Sequence, residues 1–149
     1  MAILETPRFR LPQLAAGQAH KELFHNEALA RIDFLLHPIV QAIETDPAAL
    51  MPVAGQSWLV GTDAISDWLE QDDKIAGWTG NGWLFLSPLP LMRIYIESSD
   101  RFAYYRDSWQ LSDEVSGPAG GGIVDTEARA VIESILVALT AQGILSPGS

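Results

Sequence analysis

AGWTGNGWLFL, residues 76–86, is a β-hairpin spelled out in order. Ala76 to Trp78 and Trp83 to Leu86 are short apolar runs of strand composition. Between them Thr79-Gly80-Asn81-Gly82 supplies two glycines and an asparagine, the residues that reach positive φ at least steric cost, as a tight turn demands. Upstream, Ser57 to Val60 is a further apolar strand ending at Gly61. Downstream, Met92, Ile94 and Ile96 alternate with Arg93, Tyr95 and Glu97, the period of two of a strand with one buried face. Ser98-Ser99-Asp100 turns the chain into Arg101 to Arg106, and Asp107-Ser108 leads on to Trp109. The centre is therefore expected to be a small antiparallel meander rich in tryptophan. Asp63 to Asp73 reads as a short helix with Ile65, Trp68 and Leu69 on one side. Thr45 to Gly55 reads as a loop, and Ile39 to Ile43 as either a strand or a second helical piece.

The flanks differ in pattern. From Gln18 to Leu36, the residues Ala28, Leu29, Ile32, Leu35 and Leu36 follow the 3,4 spacing of a helical stripe, and Glu27 precedes Arg31 in the favourable i,i+4 order. Pro38 stops or kinks that helix. Residues 1–16 hold isolated apolar side chains without a period, and we read them as an extended arm whose Phe9, Leu11 and Leu14 seek burial on another surface. Residues 117–122, Gly-Pro-Ala-Gly-Gly-Gly, form a linker too rich in glycine for a regular element. Beyond it, in 123–149, Asp125 is placed to cap a helix, and Val131, Ile132, Ile135, Leu136 and Leu139 make a wide apolar stripe up to Gly143. Such a helix is marginal alone and needs a partner surface. The predicted class is α+β: an N-terminal arm and long helix packed on the meander (17–116), then the linker and an amphipathic helix.

Composition narrows the function. The chain has 149 residues, 48% hydrophobic and 19% charged, which suits one globular unit. Nine Lys and Arg against nineteen Asp and Glu leave a net charge of −10, which opposes binding to a phosphate backbone. Nucleic acid is not an expected partner. With no cysteine, disulfides, thiol catalysis and thiolate metal sites are excluded. No apolar run reaches the roughly 18–20 residues that cross a bilayer, and MAILETPRFRLPQ lacks the pattern of a leader, so no membrane is expected and the chain is expected to start in the cytoplasm.

His20 to Glu27 is the densest cluster of ionisable groups. Histidines five apart stand about 140° apart around a helix, against about 40° for the four-residue spacing of a zincin. We therefore read His25, Asn26 and Glu27 as a structural polar motif, with Asn26 and Glu27 bonding the arm or a neighbouring loop. No nucleophile elbow, phosphate loop, dinucleotide fingerprint or calcium loop occurs. Glu70, Asp72 and Asp73 read as a solvated helix end. The expectation is a protein without enzymatic activity, cofactor or metal. Trp78, Trp83 and Trp109 are candidates for a platform on which sugar rings stack, although aromatic cross-strand packing explains them better.

Several separate segments resemble one known family. Thr6-Pro7-Arg8, Leu11-Pro12, Gln18, Lys21, His25-Asn26-Glu27-Ala28-Leu29 and Asp33 are similar to the opening of the DUF2793 family. Gly55 through Val60-Gly61, Trp68, Lys74-Ile75-Ala76, Trp78, Gly82-Trp83, Arg93 and Glu97 resemble its tryptophan-rich half, so the likeness runs from residue 6 to about 111. The chain departs from the family around Leu91 and Met92, where an aromatic is common, and at Asp107-Ser108, where a glycine-rich turn is common. Val124 to Arg129 resembles the helical segment that ends some phage proteins.

The family is found in structural proteins of phages and gene transfer agents of alphaproteobacteria. The resemblance thus implies a virion component: an oligomeric base or adaptor that attaches a head spike or tail fibre, the fibre reaching the host's surface polysaccharide. It implies no catalytic residue. The expected partners are further copies of the chain in a trimer or pentamer, a capsid or tail protein, and a separate spike or fibre protein. Phe9, Leu11, Leu14 and the stripe from Val131 to Leu139 are the expected contact residues. The alternative is a carbohydrate-binding module that touches the host capsule itself.

Overall fold

Six residues of extended chain, Ile39–Glu44, feed two sheets. The computed structural model describes residues 4–17, 21–112, 115–121 and 125–145. Within that stretch β1 (Ile39–Val40) pairs in parallel with β6 (Arg93–Ile96), while β2 (Ile43–Glu44) pairs in parallel with β3 (Ser57–Val60). The first sheet runs β2-β3-β4-β5, with β4 Ile75–Trp78 and β5 Trp83–Leu86. The second runs β1-β6-β7-β8, with β7 Arg101–Tyr105 and β8 Trp109–Leu111. Each is a three-stranded antiparallel meander edged by a two-residue parallel strand. The expected hairpin of β4 and β5 forms, with Trp78 opposite Trp83.

The single meander expected from the sequence is thus two mixed sheets, still in the α+β class. The joint is Gln41-Ala42: Gln41 N–H donates to Ser57 O at 2.7 Å, Leu59 N–H donates to Ala42 O at 3.0 Å, and Ser98 N–H donates to Gln41 O at 3.0 Å. This kink carries the chain from one sheet to the other with its backbone groups paired.

Alternation along the strands fills two cores. Val40, Leu59, Ile75, Leu86, Ile94, Ile96 and Ala103, drawn from both sheets, share one cluster with Phe34. Trp58, Val60, Ala64, Trp68 and Ala76 form the other. β3 sends neighbouring residues to both clusters and is buried throughout. The helix expected over Asp63–Asp73 is only a 3₁₀ turn, Ser66–Trp68. Asp63, Ser66, Glu70 and Asp73 have φ of 59°, 57°, 63° and 64°, and left-handed residues at that frequency cannot propagate an α-helix. Trp68 is fully buried, but Ile65 and Leu69 face solvent. Asp72 accepts from Asp63 N–H at 3.0 Å and Ala64 N–H at 3.1 Å, so this acidic residue ties down its own loop.

Two helices flank the sheets. α1 spans Lys21–Leu35 and buries only Asp33 and Phe34; Gln18 and His20 lie outside the described residues. It meets the sheets through the Phe34 ring, which lies over Gly77: a Cβ there would stand 2.7 Å from ring carbons. α2 spans Thr126–Ala141, capped as expected by Asp125, which accepts from Ala128 N–H at 2.9 Å. Arg129 donates to Pro118 O at 2.9 Å and also to Gly120 O, holding the linker against the helix. After α2, Gly143 at φ 67° packs on Phe102 and Tyr95, and its carbonyl accepts from Phe102 N–H at 3.2 Å.

Candidate functional site

The arm is anchored on α1 by polar side chains. Asp33, fully buried, accepts from Thr6 Oγ1 at 2.6 Å, Phe9 N–H at 2.8 Å and Arg8 N–H at 3.0 Å. Three donors converging on one carboxylate hold its charge out of water at tolerable cost. Thr6 and Leu11 close the arm on itself, with Thr6 N–H donating to Leu11 O and Leu11 N–H donating to Thr6 Oγ1, both at 3.0 Å. The Arg8 guanidinium donates to Phe34 O at 3.1 Å and His37 O at 2.7 Å, completing carbonyls at the end of α1. Burial pulls the Arg8 guanidinium below its ordinary pKa, an effect opposed by the carboxylates of Asp33 and Glu97. About two turns toward the N-terminus from Asp33, Asn26 takes Leu14 N–H and gives to Leu14 O, each at 2.9 Å.

Two expectations change here. The arm folds back on its own helix instead of being kept for another surface, because Asp33 and Asn26 satisfy backbone groups that have no ladder of their own; Leu11 and Leu14 become half-buried while Phe9 stays exposed. Glu27 does not reach the arm but pairs with Arg31 at 2.8 Å, and His25 is exposed.

The arm also decides which side of α1 is covered. At about 100° per residue, Phe24, Ala28, Ile32 and Leu35 lie roughly opposite Asn26 and Asp33. The stripe that periodicity would bury is on the outside: Phe24 is 74% exposed, Ile32 48% and Leu36 60%. α2 repeats the situation, since none of its residues is buried. Leu136 and Leu139 are half-buried, Leu136 lining a groove with Val115 to Gly117, whereas Val131, Ile132 and Ile135 are exposed. Ala128, Val131, Ile135 and Ala138 form an open seam with 3,4,3 spacing, the repeat of helices that pack on helices.

Trp109 stands apart from the other four tryptophans. Trp83 stands edge-on to Trp78 at 4.9 Å, to Trp68 at 5.1 Å and to Trp58 at 5.7 Å between ring centroids. Trp109 belongs to the other sheet, where it packs edge-on against Tyr105 and donates from Nε1 to Asp73 O at 2.7 Å. Half-buried Trp78 and Trp83 are thus part of a packed cluster, and Trp109 is remote from it in the strand order. Among the described residues no group of three or more His, Asp or Glu is placed to hold a metal ion. No helix among them is long and apolar enough to cross a membrane.

Residues 25–110, more than half of the chain, match a family described as a protein of unknown function, DUF2793. The chain belongs to the DUF2793 family. No curated protein and no solved structure matches it. In this DUF2793 chain, Asn26 and Asp33 lie inside the matched region and bind an arm that precedes it, so the His-Asn-Glu-Ala-Leu run contributes a clamp. Sequence reasoning missed Asp33 as the centre of that clamp. The signal was a carboxylate seven residues after Asn26, hence on the same side of the helix, in a chain whose arm had unpaired backbone to satisfy.

Proposed function

We propose that this chain is a structural component of a phage-like particle, a phage or a gene transfer agent, and serves as the self-associating base or adaptor of a head spike or tail fibre. The observation that carries the reading is the pair of bare helical faces, Phe24 with Ile32 and Leu35 on α1 and Val131 with Ile132 and Ile135 on α2. Apolar stripes of this extent on otherwise ordered helices mark surfaces made to be covered. The occupant is a second copy of the chain, in a closed ring of three or five.

Magnitudes favour a shared interface over a single helix contact. Covering what remains exposed of Val131, Ile132, Ile135 and Val137 is worth about 1 kcal/mol each. Joining protomers costs about 4–15 kcal/mol in lost freedom. The α2 face alone does not meet that cost, so the α1 face is expected to be covered in the same assembly. A capsid or tail protein and a separate fibre protein would complete the set of partners, and the virion would be the site of action. Particles from a host supplying the chain with Val131→Glu and Ile135→Glu are expected to lack it, while the parent chain is incorporated. Incorporation of the double variant at the parental level would contradict the reading.

A further inference from the structure

The outward side of β6 and β7 has a chemistry that self-association does not use. Arg93 lies opposite Tyr104 in register, and Tyr95 opposite Phe102; Gln110 of β8 lies opposite Tyr104. The Arg93 guanidinium is stacked 4.7 Å from the Phe102 centroid, and that of Arg106 is 5.9 Å from the Tyr104 centroid. Among the described residues neither guanidinium is ion-paired, whereas Arg31 and Arg10 are. In a chain of net charge −10 with nine cations, this one sheet face gathers two of them around an exposed aromatic ring. Beside Arg93 is a depression of about 380 Å³, lined by Leu91, Arg93, Phe102, Tyr104, Ser112 and Ile144. It has the size and the mostly apolar lining, with few polar groups, of a small-molecule site.

We propose that this face binds a carboxylated sugar unit. A pyranose has one flat apolar side, which fits against the Tyr104 ring and the apolar floor, and a hydroxylated rim that the Tyr104 hydroxyl can meet. Stacking on Phe102 holds the Arg93 guanidinium planar and oriented, so that its N–H fork is ready for a bidentate carboxylate. A neutral sugar leaves that fork unused. The site differs from the tryptophan platform anticipated from composition, since Trp78, Trp83 and Trp109 take no part in it.

The site lies within one chain, so its test is independent of assembly. Titration calorimetry with trigalacturonic acid and with its fully methyl-esterified form, equal in shape but uncharged, reads the claim directly. The acid is expected to bind, and the ester at least about tenfold more weakly, the loss that follows from removing a charge-assisted pair. Arg93→Gln is expected to weaken the acid by a similar factor, and Tyr104→Ala to weaken both forms. Both side chains are exposed, so the variants are expected to retain the parental melting behaviour. Absence of binding by the acid, equal binding of acid and ester, or parental affinity in Arg93→Gln would overturn the proposal.

Discussion

Asp33 concentrates more structural consequence than any other side chain of the helices. Among the described residues its carboxylate is the acceptor for both Arg8 N–H and Phe9 N–H at the tip of the arm. Asp33→Ala strands those donors and the Thr6 hydroxyl, and is expected to cost at least about 2 kcal/mol, measured as a lower midpoint in urea. Asn26→Ala removes both bonds to Leu14. It is expected to lower the melting temperature by several degrees, and a melt within one degree of the parent would show that this anchor is dispensable. Tyr95 offers a spectroscopic check on the other sheet. Its hydroxyl donates to Asp100, and that bond, then desolvation and the charges of Asp100 and Glu97, raises the phenol above its ordinary pKa of about 10. A raised pKa means that the bond stabilises the fold below the ordinary tyrosine pKa, and that this is lost as pH rises through the raised value. Absorbance titration is expected to show one phenol deprotonating late, returning toward the ordinary value in Asp100→Asn.

At the scale of elements, what was legible followed from periodicity and local chemistry. The hairpin at Thr79 to Gly82, the alternation through Ile94 and Ile96, and the Asp125 cap each depend on neighbours in sequence, and each is present. β1 and β2 were ambiguous because two residues carry no period; their pairing comes from partners more than ten residues away. The rotation of α1 was illegible for a different reason. The apolar stripe of Ala28, Ile32 and Leu35 argued for burial, but a carboxylate with three donors and the fit of Phe34 over Gly77 fixed the opposite side. That fit is testable. Gly77→Ala forces a Cβ within 2.7 Å of the Phe34 ring in a closed core, and is expected to destabilise by about 1–3 kcal/mol. Combining it with Phe34→Leu, which opens space at the contact, is expected to recover part of the loss; strict additivity of the two would mean that the residues do not meet.

For the molecule as a whole, the paired sheets share a core. The helices are different, being tied to the rest by the arm, the Phe34 ring and the Gly143 turn while their apolar stripes face outward. The proposed assembly, covering both stripes at once, would account for Val131, Ile132 and Ile135 at the surface of so acidic a chain, and would leave the arm clamped to its own helix. Light scattering coupled to size exclusion at micromolar concentration measures this directly. The account predicts a species of three or five times 16.3 kDa; a single species of 16.3 kDa across that range would contradict it.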